Sequence, residues 1–141
     1  MKTLLVFLFL VSVAFLACDQ KPSPTRVKEE AAVAAAESWL KVVDAGQYDQ
    51  SWDQAATVFQ GAVSKPDWVR MLQGIRAPLG SLVSRSVESS HYTTSVPGAP
   101  DGEYVVIRFE TSFEHKKKAV ETVTPSRDKD GVWKVSGYFI K

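Results

Sequence analysis

The chain has 141 residues, with 17 basic and 16 acidic side chains, a formal net charge of +1 and one cysteine. This balance lacks the basic excess expected of a nucleic-acid-binding protein, so nucleic acid is not an expected partner. The length suits one domain built around one hydrophobic core.

The first predicted element is an uncharged run from Leu4 to Ala17, preceded by Lys2. It is shorter than the roughly 20 apolar residues that a membrane-spanning helix needs. A basic start followed by a short apolar run is typical of a secretory signal peptide. The alternative, a buried core helix, is disfavoured because the polar stretch "DQKPSPT" follows almost at once. We predict that residues 1–17 are a signal peptide.

The only cysteine, Cys18, directly follows this run. Cleavage by an ordinary signal peptidase after Ala17 would place the bulky Phe15 where a small residue is preferred. The stretch "FLAC" instead resembles the lipobox of bacterial lipoproteins, although Phe15 and Leu16 depart from its usual residues. A lone exported cysteine would otherwise be an unpaired thiol in an oxidising compartment. The resemblance implies a diacylglyceryl thioether on Cys18 and an acylated amino terminus, which together anchor a protein stably in a membrane.

The residues after the cysteine indicate the membrane to which the protein is sorted. Asp19 and Gln20 follow Cys18, and an Asp at this position resembles the inner-membrane retention signal of enterobacteria-like sorting. We therefore expect a protein of the bacterial cell envelope that faces the periplasm, at the inner membrane rather than the outer. Two prolines in "KPSPT" are typical of a short extended segment. Residues 18–26 are predicted to be a lipidated tether, and residues 27–141 a single domain.

Three helices are predicted after the tether. The first is alanine-rich, has Thr25 as its candidate cap and ends at Gly46. The second covers about residues 49–60. The third begins at "SKPD", where Ser64 and Asp67 resemble a capping box. We interpret Trp39, Trp52 and Trp68 on these helices as core residues rather than ligand contacts.

The pattern then changes from helical to alternating. In "EYVVIRFETSF", Val105, Ile107, Phe109 and Phe113 alternate with more polar residues, which predicts a strand with one buried face. A more polar candidate strand, "LVSRSVESSHYTT", precedes it, and "KAVETVT" and "VWKVSGYFI" follow. Asp130 and Gly131 give a strong hairpin signal between the last two strands. The sequence predicts an α+β fold with three N-terminal helices packed on a four-stranded antiparallel sheet.

Helices across an antiparallel sheet, with "DAGQYDQSW" at the first corner, resemble the cystatin-like or nuclear-transport-factor-like roll. The stretches "WLKVVDAGQYDQSWDQAA", "SKPDWVRMLQGIRAPLGSLVSRS", "VPGAPDGEYVVIRFETSFEHK" and "DGVWKVSGYFIK" are similar to the bacterial domain-of-unknown-function family 4019. The resemblance covers about residues 30–141. It implies no activity, and a fold likeness alone would not supply one.

Few residues suggest chemistry. Zinc needs three or four His, Cys or carboxylate ligands, and the chain offers only His91 and His115 besides a cysteine expected to be acylated, so no metal or other cofactor is expected. No nucleophile motif or phosphate-binding glycine loop is present. Lys116, Lys117 and Lys118 are interpreted as a solvated hairpin turn, with attraction to anionic headgroups as the alternative.

The candidate binding residues are Arg70, Arg76, Arg85 and His91. The arginines flank the third helix and the start of the sheet, with Glu110 and Glu121 on later strands. An arginine there could bind a carboxylate or phosphate of a ligand, or form an ion pair between helix and sheet, and we favour the ion pair.

Two hypotheses for function remain open. The first is a non-enzymatic envelope lipoprotein that binds a partner protein or a small ligand. The second is a small enzyme on a roll fold, with His91 as the base and a carboxylate that orients it. The enzyme hypothesis requires His91 within hydrogen-bond reach of a carboxylate on a concave face.

We predict that Cys18→Ser abolishes acylation and releases the protein from membranes, because Cys18 is the only thiol in the chain. Metabolic labelling with a fatty acid measures the outcome. Unlabelled wild-type protein, or a labelled Cys18→Ser variant, would contradict the lipoprotein interpretation.

Overall fold

The computed structural model describes residues 21–141, so the predicted signal peptide, Cys18, Asp19 and Gln20 lie outside the described residues. Four α-helices and a short 3-10 helix precede four strands: α1 Pro24–Asp44, α2 Tyr48–Asp53, α3 Thr57–Ala62, α4 Lys65–Arg76, the 3-10 helix Ala77–Leu79, β1 Leu82–Thr93, β2 Tyr104–Phe113, β3 Lys116–Arg127 and β4 Trp133–Ile140. Within residues 21–141, no helix has the length and apolar character needed to span a membrane.

The α+β fold with a four-stranded antiparallel sheet is confirmed, but residues 21–141 contain four α-helices rather than three. The helix predicted over residues 49–60 is split into α2 and α3 by extended backbone at Ala56. The Ala56 amide donates a hydrogen bond of 2.8 Å to the carbonyl of Val135 on β4. This contact with the edge of the sheet replaces a bond that would have continued the helix.

The start of α1 also differs from the prediction. Its cap is Ser23 rather than Thr25, because the Ser23 hydroxyl accepts a hydrogen bond from the Arg26 amide and Pro24 occupies the first turn. A proline is tolerated there, since its missing N–H would have no partner within the helix. Helix α1 therefore begins three residues before the predicted boundary between tether and domain. The cap predicted for α4 at Ser64 is confirmed.

The four strands pair in chain order, β1-β2-β3-β4, each antiparallel to the next. On β2, Val105, Ile107 and Phe109 are buried and alternate with more exposed residues, as predicted. Lys116, Lys117 and Lys118 lie at the start of β3 rather than in a turn, because the chain reverses at Glu114 and His115. The sheet thus has a helix-facing surface and an outer surface.

The core lies between the helices and the inner surface of the sheet. Trp39, Trp68 and Tyr138 form a group whose ring centroids are 5.3–6.4 Å apart. Ser51, which is fully buried on α2, accepts hydrogen bonds from both indoles: Trp39 donates to its carbonyl at 2.8 Å and Trp68 to its hydroxyl at 2.9 Å. The aromatic groups and their polar atoms are therefore satisfied within the core, where a buried indole N–H needs a partner.

Candidate functional site

Four charged side chains meet where the helices end and the sheet begins. Asp44 is the last residue of α1, Arg76 is the last residue of α4, Arg85 lies on β1 and Glu121 on β3. We call these four residues the charged cluster. All four side chains are largely withdrawn from solvent, and Glu121 is fully buried.

Arg85 connects the two acidic residues of the charged cluster. Its Nη1 and Nη2 atoms lie 2.7 and 3.0 Å from the two carboxylate oxygens of Asp44, and its Nε lies 2.6 Å from Oε2 of Glu121. The fork of the guanidinium makes both contacts at once, which a lysine ammonium does not reproduce. Arg85 thereby joins α1 to β1 and β3.

Arg76 reinforces the same carboxylates from α4. Its Nη2 donates to Asp44 at 2.7 Å, and its Nη1 lies 3.9 Å from Glu121. The guanidinium carbon lies 4.8 Å from the centroid of the Phe113 ring, a distance suited to a cation–π interaction. The cluster contains two cations and two anions, so its formal charge is balanced.

Two hydroxyl groups complete the hydrogen bonding of Glu121. Thr111 donates to Oε2 at 2.6 Å, and Tyr138 donates to Oε1 at 2.5 Å. The Tyr138 hydroxyl in turn accepts a hydrogen bond of 3.3 Å from Arg76. A buried carboxylate with several such donors is compensated for the water it has lost.

These contacts shift the pKa values of the cluster. Burial raises the pKa of Asp44, but hydrogen bonds from Arg85 and Arg76 outweigh it and hold that pKa below its ordinary value. Burial lowers the pKa of Arg85, and hydrogen bonds to Asp44 and Glu121 more than reverse the effect. Burial, together with the neighbouring charge of Glu121, raises the pKa of Tyr138. Asp44 and Arg85 are therefore charged at neutral pH, while the Tyr138 phenol keeps its proton.

The structure brings together only two of the four candidate binding residues. Arg76 and Arg85 meet in the charged cluster, where their partners are carboxylates of this chain. Arg70 lies on the exposed side of α4, its side chain 75% exposed, and contacts Asp67 at 3.1 Å. His91 is exposed on β1, and within residues 21–141 its side chain has no hydrogen bond or ion pair to a carboxylate. The pair that the enzyme hypothesis requires is thus not formed among the described residues.

No sequence pattern identified Asp44, Thr111 or Tyr138 as site residues. For Asp44 a signal existed, because an acidic residue at the C-terminal end of a helix opposes the helix dipole. Such a residue is expected to have a cationic partner elsewhere in the fold. Thr111 and Tyr138 carry no comparable signal, since both occupy ordinary positions on strands.

A shallow cleft of about 370 Å³ lies beside the charged cluster, lined by Asp44, Arg76 and residues that include Tyr48, Ser81 and Glu114. A ligand anion there would compete with the carboxylates that already bind Arg76. Among residues 21–141, no group of three His, Cys, Asp or Glu side chains is placed to hold a metal ion. The arrangement is suited to holding the helices against the sheet.

The fold and the charged cluster define a small α+β domain in which helices cover one face of an antiparallel sheet and buried ion pairs connect the two layers. The family described as "Protein of unknown function (DUF4019)" matches residues 35–138, and the chain belongs to that family. A search of curated proteins finds no significant match to the chain.

We predict that Arg85→Ala lowers the free energy of unfolding by about 3–5 kcal/mol, because it leaves the buried Glu121 without its closest cation. Arg76→Ala is expected to cost less, since Arg85 still binds both carboxylates. Arg70→Ala is the matched control and should change stability by no more than about 0.5 kcal/mol, because its ion pair is exposed. Urea unfolding measures all three. Unchanged stability in the Arg76 and Arg85 variants would contradict a structural role for the cluster.

Acid should weaken the same contacts. The folded pKa of Asp44 lies below its ordinary value of 3.8, so its contribution to stability is present above that value and is lost as pH falls through the folded pKa. We expect Asp44→Asn to be less stable than wild type at pH 7 and to lose less stability between pH 4 and pH 2. Unfolding free energies measured across this range test the prediction. Equal acid slopes in both proteins would show that Asp44 does not carry this dependence.

Asp128 provides an independent comparison for the acid experiment. Burial raises its pKa, but hydrogen bonds from the Lys129 and Thr57 backbones, from the Thr57 hydroxyl and from Lys134 hold that pKa at about 2. Asp128→Asn should also flatten the acid dependence, and its effect should add to that of Asp44→Asn because the two residues share no partner.

Proposed function

We propose that this protein is a lipid-anchored module of the bacterial cell envelope that binds a partner protein at the groove between α1 and β1. The proposal rests on this groove, which has a volume of about 560 Å³. The groove lies at a sheet edge that has no further partner strand among the described residues. We call it the α1–β1 groove. It is lined by Arg26, Glu29, Glu30, Val33, Ala34, Glu37, Val87 and Ser90.

The closed interior favours a surface contact over an internal ligand. The aromatic group fills the space between helices and sheet, and Ser51 satisfies its indoles. The charged cluster satisfies its own carboxylates with its own arginines. A small ligand between the two layers would have to displace these contacts, whereas a partner protein on the surface displaces only water.

Exposed apolar side chains lie along the β1 edge. Val83 is 61% exposed and Val87 is 40% exposed, and β1 pairs only with β2 within residues 21–141. An unpaired edge strand presents N–H and C=O groups to which another chain can bind. Glu29 closes one end of this edge, because its carboxylate accepts a hydrogen bond of 2.9 Å from the Tyr92 amide. The open part of the edge therefore lies beside Val83 and Val87.

The charge of the α1–β1 groove indicates the chemistry of the partner. Three carboxylates, those of Glu29, Glu30 and Glu37, line it together with one cation, Arg26. Arg26 is already paired with Glu30 at 2.8 Å, and Glu37 has no ion pair among the described residues. An extended segment that carries a basic residue and an apolar one would complement both the carboxylates and the valines.

The proposed lipid anchor determines where in the cell this binding takes place. The proposal places an acylated Cys18 in the inner membrane, with Asp19 and Gln20 as its sorting residues and the domain in the periplasm. A membrane tether confines the domain to the neighbourhood of other envelope proteins and raises its effective concentration toward them. A modest surface such as the α1–β1 groove is then sufficient for binding.

We predict that a photoreactive amino acid at position 87 of the full chain captures one discrete partner in the cell envelope. The same amino acid at position 132 is the control, because Val132 is comparably exposed on the β3–β4 turn. Glu37→Lys should reduce capture at position 87 at least five-fold by repelling a basic segment. Asp101→Lys, a charge reversal on an exposed loop, should leave capture unchanged.

The outcomes separate the alternatives. Capture at position 87 that is insensitive to Glu37→Lys would contradict a basic partner in the groove. A crosslinked product with the mass of two copies of this chain would identify the β1 edge as a self-association surface instead. Equal capture at positions 87 and 132 would indicate nonspecific contact.

A further inference from the structure

The outer surface of the sheet carries a second groove, of about 520 Å³, at the end nearest the β2–β3 turn. Its lining residues are Ser84, Ser86, Glu110, Thr111, Ser112, Lys117, Lys118, Ala119, Val120 and Lys141. We call it the lysine groove. It lies apart from the α1–β1 groove, on strands β1–β3 and on Lys141, which follows β4.

The alternation of the strands places the lysine groove on the face opposite the helices. Glu121 and Val123 on β3 are buried beneath the helices, so Val120 and Lys118 lie toward the outer surface. Lys141 is held beside Val120 by two backbone hydrogen bonds of 2.9 and 3.1 Å. The strand pairing therefore places Lys118 and Lys141 on the outer surface. Lys117 lines the same groove beside a shift in the β2–β3 register between Thr111 and Phe113.

The charges of the lysine groove are not compensated within the described chain. No ion pair involves Lys117, Lys118, Lys141 or Glu110 among residues 21–141, whereas the nearby Arg108 is paired with Glu88 at 2.8 Å. Three cations against one anion leave an excess of positive charge. Phe139, which is 60% exposed, precedes Lys141 on the same strand face. Lysines on the same face of the sheet as an exposed aromatic ring match the polar and apolar parts of a membrane interface.

We propose that the lysine groove and Phe139 form a surface that lies against anionic phospholipid headgroups. This proposal rests on the membrane anchor of the proposed function. The chain between Cys18 and Pro24 can extend to about 20 Å. Helix α1 packs directly on the sheet, on the face opposite the lysines, so Pro24 is separated from the outer surface by one layer of the fold. An anchored domain can therefore lie with its outer sheet surface on the bilayer and the α1–β1 groove free for a partner.

The test uses the full, acylated protein in vesicles of phosphatidylcholine, with or without phosphatidylglycerol. Because acylation consumes Cys18, Phe139→Cys provides a single thiol for a polarity-sensitive fluorophore. We expect a blue shift of the probe only in the anionic vesicles, with reversal by 0.5 M NaCl as salt screens the charges. Acetylation of Lys117, Lys118 and Lys141 should fall about five-fold in the anionic vesicles, while that of Lys41 on α1 stays constant.

Matched variants and a second probe position separate the outcomes. Changing Lys117, Lys118 and Lys141 to Gln should remove the shift at position 139, and changing Lys41, Lys65 and Lys129 to Gln should retain it. A shift at a Val132→Cys probe instead would overturn the proposed orientation. Protection of the three lysines by soluble polyglutamate without vesicles would overturn the lipid assignment in favour of an acidic protein.

Failure of this inference is distinguishable from failure of the proposed function. If the protein is acylated and enters vesicles but shows neither effect, only the lysine surface is overturned. If fatty-acid labelling shows no acylation, the proposed membrane anchor is overturned, and the proposed lipid-binding role of the lysine surface is overturned with it.

Discussion

The arrangement of the two layers depends on one interaction, the bidentate contact of Arg85 with Asp44. The Nε atom of the same guanidinium also contacts Glu121. Asp44 ends the longest helix, and Glu121 is fully buried on an inner strand of the sheet. Withdrawing an ionised carboxylate from water without a cation nearby is strongly unfavourable. The position of α1 over the sheet therefore depends on the guanidinium of Arg85. Arg76 on α4 makes additional contacts with the same carboxylates.

The balance of charge in this cluster also bears on function. Two arginines and two carboxylates that form ion pairs with one another leave little unpaired charge in the interior to attract a ligand. The uncompensated charges lie instead on the surface, where the α1–β1 groove is acidic and the lysine groove is basic. The two grooves differ in position, in sign and in apolar content. A domain with this distribution is suited to contact two different partners from its surface.

The sequence predicted those features that depend on local patterns. Alternation on β2 identified Val105, Ile107 and Phe109 as core residues, and Ser64 with Asp67 identified the start of α4. It did not predict the break between α2 and α3, because the cause is a hydrogen bond from Ala56 to Val135 on a strand nearly 80 residues later. Of the charged cluster, Arg76, Arg85 and Glu121 stood out as charges near the joint between helix and sheet. Their pairing with Asp44 depends on tertiary geometry that periodicity does not encode.

The spacing of the charged cluster along the chain affects the order of folding. Arg85 is 41 residues from Asp44 and 36 residues from Glu121, so the cluster forms only when three distant segments have come together. Contacts between such distant residues require large loops to close and tend to form slowly. A nascent chain that has not yet exposed Glu121 cannot complete the cluster. The contacts that hold α1 in its final position are therefore complete only once the chain extends as far as β3.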